Sequence, residues 1–221
     1  MRALPAGVLA MGLVACGPVK VRPDYTLPRA LMAPMSAHVG LLLDDQLRAF
    51  RQDETRGGED WQVDLGSGHD KLFRSMFTAS FDDLRVFTDL EAARSAPGLQ
   101  VIFQPHIEQY SFATDKETSA EYWAVTIRYR IAVLAPGGEA IDSLTLTGYG
   151  SARSAGGGAA GSLTAATHAA MRDAAAKFLV QMPRQSLAQK LAAGQALDSA
   201  DGKAAIVDVV EAVPIDPVPA S

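Results

Sequence analysis

Apolar and polar residues alternate most strictly from Tyr122 to Leu134. Trp123, Val125, Ile127, Tyr129, Ile131 and Val133 take every second position, and Ala124, Thr126, Arg128, Arg130 and Ala132 take the others. A period of two predicts a β-strand with one buried and one wetted face. Ala135-Pro136-Gly137-Gly138 then reads as a turn, and Ala140 to Ser151 returns as a strand through Ile141, Leu144 and Leu146. Leu99 to Phe112 is extended as well, with Val101, Phe103 and Ile107 on one parity and Ile102, Tyr110 and Phe112 on the other. Pro105 has no N–H to give to a ladder, so this strand is expected at an edge or with a bulge. The connections are short, which predicts an antiparallel meander for these three runs.

Two stretches follow the helical period instead. Leu72, Phe73, Met76, Phe77, Phe81 and Leu84 make one apolar face, with Ser67 as the expected cap, Asp70 in capping-box position, and Gly66 and Gly68 supplying the turn. Arg85-Val86-Phe87 reads as a brief edge strand after it. Leu163, Ala166, Ala170, Met171, Ala174, Phe178 and Leu179 make a second face, capped by Ser162 after a flexible glycine link (Gly156 to Gly158, Gly161) and stopped by Pro183. Its alanines permit close approach to a neighbour.

Upstream, the body is expected to begin at His38 with a short buried strand through Val39, Leu41 and Leu43, ended by Asp44-Asp45. The polar span up to Asp64, around Gly57-Gly58, is a long loop or an exposed hairpin, and Trp61 to Leu65 alternates as a short strand. Residues 16–37 hold Pro18, Pro23, Pro28 and Pro34 and read as an extended tether, long enough at about 3 Å per residue to hold the body on the order of 50 to 60 Å from whatever it is fixed to. Residues 38–183 form the domain, and 184–221 a short helix and a loose tail, in which Ile206 to Val213 could add a strand. Strand, helix, several antiparallel strands and helix together predict an α+β fold: a two-layer sandwich, mainly an antiparallel sheet with two helices packed on one face.

Composition narrows the setting. The chain has 221 residues, a net charge of −5 and a single cysteine. A mildly acidic surface gives no electrostatic reason to bind nucleic acid, and one cysteine allows no disulfide framework. That cysteine ends Leu13-Val14-Ala15-Cys16, after a start with one charge, Arg2, and an apolar run from Ala3 to Ala15 that is too short to span a bilayer. Leu13-Val14-Ala15-Cys16 resembles the lipobox of bacterial lipoproteins. The resemblance implies a signal peptide over 1–15, cleavage before Cys16 and acylation of Cys16 by more than the two anchors that stable attachment needs. Gly17 and Pro18 after the cysteine imply, by the same resemblance, the outer membrane, with the body in the periplasm.

No catalytic constellation is present in the sequence. His38, His69, His106 and His168 are scattered, without a zinc spacing, and read as ordinary surface or capped histidines. No serine sits in a G-x-S-x-G elbow. Asp44, Asp45, Asp53, Glu54, Glu59 and Asp60 do not match a calcium loop, and the glycines from Gly148 to Gly161 lack the G-K-[ST] of a phosphate cradle, so a hinge is sufficient for them. Neither catalysis, metal nor cofactor is expected. The feature with most functional content is the wetted side of the sheet, where Arg128 and Arg130 are expected near His106, Glu108 and Tyr110: a solvated face, or a protein contact. By element order alone the body resembles small envelope lipoproteins, namely the lipopolysaccharide-assembly lipoprotein, the auxiliary lipoproteins of ABC transport systems and the TolB amino-terminal-like group. The expectation is a non-enzymatic, membrane-anchored adaptor or assembly factor with an envelope protein partner; the alternative is an auxiliary lipoprotein that binds lipid or glycan during transport.

Overall fold

The computed structural model describes residues 18–23, 33–118, 121–154 and 158–198. Two sheets carry the fold. The alternating segment is β7 (Tyr122–Leu134), the centre of an antiparallel meander with β6 (Val101–Ala113) and β8 (Ala140–Arg153). Gly138, at φ 94°, closes the turn between β7 and β8. β2 (Met35–Leu42) runs parallel to β6, and β5 (Phe81–Phe87) runs parallel to β2 along the outer edge, giving the order β5-β2-β6-β7-β8. A second sheet is made by β1 (Val19–Val21), β4 (Glu59–Asp64) and β3 (Arg51–Arg56), in the order β1-β4-β3. Between β2 and β3 lies a short helix, α1 (Asp45–Arg48), capped by the Asp44 carboxylate. The polar span is therefore the hairpin: Gly57 and Gly58, at φ 63° and 80°, make its two-residue turn.

The α+β expectation stands, with α2 (Gly66–Ser80) and α5 (Gly158–Gln181) on one face of the large sheet. α3 (Leu90–Arg94) and the segment after it cover one end of the other face through Ala93 and Leu99, packed on Leu42, Ile102 and Leu134. α4 (Asp115–Thr118) links β6 to β7, and α6 (Ser186–Ala192) follows α5. α6 is part of the core: Leu187, Ala188 and Leu191 are buried, and the Gln100 side-chain amide donates to the Leu191 and Gln195 carbonyls.

Local signals mislead at several points. α2 starts at Gly66 after Leu65, with no side-chain cap, and Asp70 pairs with Arg74 instead of completing a capping box with Ser67. A missing cap costs about 1 kcal/mol, whereas burial of Leu72, Phe73, Met76 and Phe77 returns roughly 1.5–3 kcal/mol for each side chain, so packing decides. Gly66 and Gly68 serve contact and not the turn. A Cβ on Gly66 would lie 1.8 Å from the Arg48 carbonyl oxygen, and one on Gly68 would lie 2.3 Å from that of Pro23. Phe81 and Leu84 belong to β5 because the helix ends at Ser80.

The parity read for β6 breaks at a bulge. Ile107 pairs with Tyr129 and Gln109 with Arg128, so Glu108 is the extra residue and the strand flips there. Ile107, Tyr110 and Phe112 consequently face the helices together with Val101 and Phe103. Pro105 lies beyond the Val39–Leu41 ladder, where β6 has β7 alone as partner and the missing N–H is not needed.

α5 sits unusually close to β8. Its start at Gly158 leaves Ser162 buried inside the helix and not at its cap. Cβ atoms on Gly148 and Gly150 would lie 2.1 Å from the Ala170 and Ala166 carbonyl oxygens, so glycines read as a hinge are the floor on which an alanine-rich helix rests. The same helix occupies two main-chain groups on the free edge of β8: the Tyr149 N–H donates to Asp173, and Lys177 donates to the Thr147 carbonyl.

The span read as a tether is also structured in part. β1 pairs in parallel with β4, Val19 opposite Trp61 and Val21 opposite Val63, and Val21 is buried. Its short ladder replaces free chain over 19–21. The remainder of that span at 24–32, the leader 1–15, Cys16 and the tail from 199, with the strand expected over 206–213, lie outside the described residues.

Candidate functional site

Four of the five residues expected on the wetted sheet face do share it. Arg128 and Arg130 are exposed on β7; His106 pairs across from Arg130, and Glu108, thrown outward by the bulge, meets Arg130 Nε at 2.8 Å. Burial lowers the His106 pKa, and the neighbouring Arg130 cation acts in the same direction against Asp44 and Glu108. His106 is thus uncharged at neutral pH, and the charge on this face comes from Arg128 and the Arg130–Glu108 pair. Tyr110 is a correction: the bulge turns it inward, where its hydroxyl hydrogen-bonds Thr167 Oγ1 at 2.8 Å and burial raises its pKa.

His69 is also unlike its expected surface role. It is fully buried in α2, its Nδ1 lying 2.7 Å from the Leu65 carbonyl oxygen and its Nε2 2.7 Å from the Tyr129 hydroxyl. A carbonyl only accepts, so Nδ1 carries the proton and Tyr129 donates to Nε2. Burial lowers the His69 pKa to about 4 and raises that of Tyr129. Tyr129 and Tyr110 each tie a sheet strand to a helix through a buried polar bond. Both pairs are buried, and each bond holds its strand against its helix.

The sequence gives no sign of the cleft of about 240 Å³ at the end of the body where the hairpin, α4 and the start of α5 meet. Trp61 of β4 and Trp123 of β7 form its floor, ring centroids 5.4 Å apart. Each indole N–H is satisfied: Trp61 Nε1 donates to the Arg56 carbonyl and Trp123 Nε1 to Ser154 Oγ. Ser154 Oγ in turn donates to Asp115, and that bond is the main reason the Asp115 pKa is lowered. Arg56 lies over the Phe112 ring, bonded to Glu54 and Glu117, and its pKa is raised chiefly by Glu54. No histidine is among the residues that line the cleft. An apolar floor with fixed donors and acceptors on its rim is what a bound small ligand needs. Alternation placed both tryptophans on strands, but only the packing of two sheets could bring them together.

Among the described residues no His, Cys, Asp and Glu side chains gather as metal ligands would, and no helix is long and apolar enough to cross a membrane. No family model and no curated protein matches the chain. Among solved structures, the 1.65 Å structure of the hypothetical protein CT253 from Chlamydia trachomatis is similar at 11% identity and a TM-score of 0.42, over 72% of this chain and 98% of that one.

Proposed function

We propose that the chain is a non-enzymatic lipoprotein of a Gram-negative outer membrane, anchored through Cys16, that works in the periplasm as an adaptor or assembly factor by contact with an envelope protein. The observation that carries the anchor is the lone cysteine at the end of Leu13-Val14-Ala15-Cys16. The open face supports contact: Arg128 and Arg130 stand on a rigid three-stranded platform beside Glu108 and His106, and arginine at an exposed, well-supported site is a common interface anchor. Pull-down from detergent-solubilised membranes tests this. A defined protein partner is expected, and it is lost from the Arg128→Glu, Arg130→Glu double variant; recovery of lipid or glycan alone refutes the adaptor role.

The cleft floored by Trp61 and Trp123 favours a second reading, an auxiliary lipoprotein that holds a lipid or glycan during transport. In that case narrowing the cleft by Ser162→Leu abolishes ligand recovery while the Arg128 and Arg130 variants leave it intact.

A further inference from the structure

Lipid anchors are commonly separated from their cargo by a long linker, and four prolines between residues 16 and 37 suit that picture. The packing of residues 18–23 does not. β1 is laddered to β4 from Val19 onward, Val21 is buried, and the Pro23 carbonyl oxygen is in close contact with Gly68 of α2. The chain has therefore joined the body three residues after Cys16. Three residues reach at most about 10 Å. One further step across the sheet, about 5 Å, leads from Val19 to Trp61, its register partner.

Val19 enters beside the turn of the β3–β4 hairpin, the same end of the body that holds the tryptophan-floored cleft. We infer that the anchor at Cys16 holds this end directly against the bilayer that carries the acyl chains, with the Trp61/Trp123 cleft within headgroup reach and the body unable to stand away from the surface. The inference rests on the acylation of Cys16 proposed above. Charge does not supply the attachment: around the cleft Arg56 and Lys116 are matched by Glu59 and Asp115. Covalent length does, so apposition is insensitive to salt. Arg130 lies seven residues along β7 from Trp123, roughly 20 Å further up the strand, and so clear of the headgroups. A protein partner thus meets the open face while the cleft faces lipid.

The chain has two tryptophans, and both floor the cleft, so intrinsic emission reports on this end of the body alone. The test uses the acylated full chain, purified from membranes and placed in phosphatidylethanolamine/phosphatidylglycerol vesicles containing dansyl-labelled phosphatidylethanolamine as an energy-transfer acceptor. A second chain carries twenty glycine and serine residues inserted between Gly17 and Pro18, a spacer with a mean reach of about 25 Å. Strong loss of tryptophan emission is expected for the natural chain, unchanged in 0.5 M salt, with substantial recovery in the spacer chain. Three other outcomes overturn the inference. An acylated natural chain that transfers as weakly as the spacer chain overturns apposition and leaves the lipoprotein reading intact. Equal, strong transfer from both chains shows that the body adheres by its own surface and not by the shortness of its anchor. An unmodified, vesicle-free polypeptide by mass spectrometry removes the lipoprotein reading and the inference with it.

Discussion

Acidification perturbs one buried group in a way that can be worked through to a number. In the folded chain His69 donates from Nδ1 to the Leu65 carbonyl and accepts the Tyr129 hydroxyl at Nε2, and burial brings its pKa to about 4. A second proton would have to sit on Nε2, where it would face the hydroxyl that now donates to it, in a site that burial shuts off from solvent. In the unfolded chain the imidazole titrates at its ordinary value, about 6.5. The unfolded state therefore binds more protons than the folded state between these two values. This contribution to stability is complete above the unfolded value and is lost as pH falls through the window toward 4. At pH 5 the linkage amounts to about 2 kcal/mol relative to pH 8, or a fall in Tm of roughly 4–8 °C for a chain of this size. Urea unfolding followed by tryptophan emission at both pH values measures it. His69→Gln can keep both hydrogen bonds without titrating, so its loss between pH 8 and pH 5 is expected to be smaller than that of the natural chain by the same amount. The carboxylates Asp115 and Glu117, whose pKa values are lowered, lie outside the His69 site, affect both proteins alike and cancel in the difference. Equal losses in the two proteins would refute the assignment of a neutral, fully desolvated imidazole.

Other perturbations have distinct signatures. Gly150→Val drives a side chain into the Ala166 carbonyl and the backbone N–H of Ala170; a loss of about 3 kcal/mol or more in chemical unfolding is expected, and a neutral result would mean that α5 can lift from β8. Tyr110→Phe removes the buried bond to Thr167, which keeps its bond to the Leu163 carbonyl, so the cost is only about 1 kcal/mol by the same measurement. Arg130→Ala breaks a half-exposed pair with Glu108 and is expected to change stability by less than about 1 kcal/mol, which separates any loss of partner binding from unfolding.

The sequence made the meander legible because period-two alternation over β7 is long and its turn to β8 is marked by Pro136, Gly137 and Gly138. The two packed helices were legible for the same reason, at a period of 3.6. Signals of contact were not. Gly66, Gly68, Gly148 and Gly150 carry turn chemistry when read locally, and only the neighbouring backbones reveal that each gives way to a carbonyl. One inserted residue, Glu108, sufficed to send Tyr110 from the expected partner face into the core while leaving His106, Arg128 and Arg130 where alternation put them. β1 was hidden by its prolines, since three residues are too few for any periodicity to register. The cleft had no local signature at all: Trp61 and Trp123 are far apart in sequence and belong to different sheets.

Asp173 and Lys177 have a consequence for how copies of this molecule meet one another. An outermost strand ordinarily offers its unspent amides and carbonyls to any passing extended segment. Here a helix side chain already occupies the Tyr149 amide and another the Thr147 oxygen, so this stretch of the β8 border is blunted and stacking of one molecule onto the next through it is frustrated. Around Thr147 and Tyr149, association on this flank must then proceed through side chains and not through main-chain zippering.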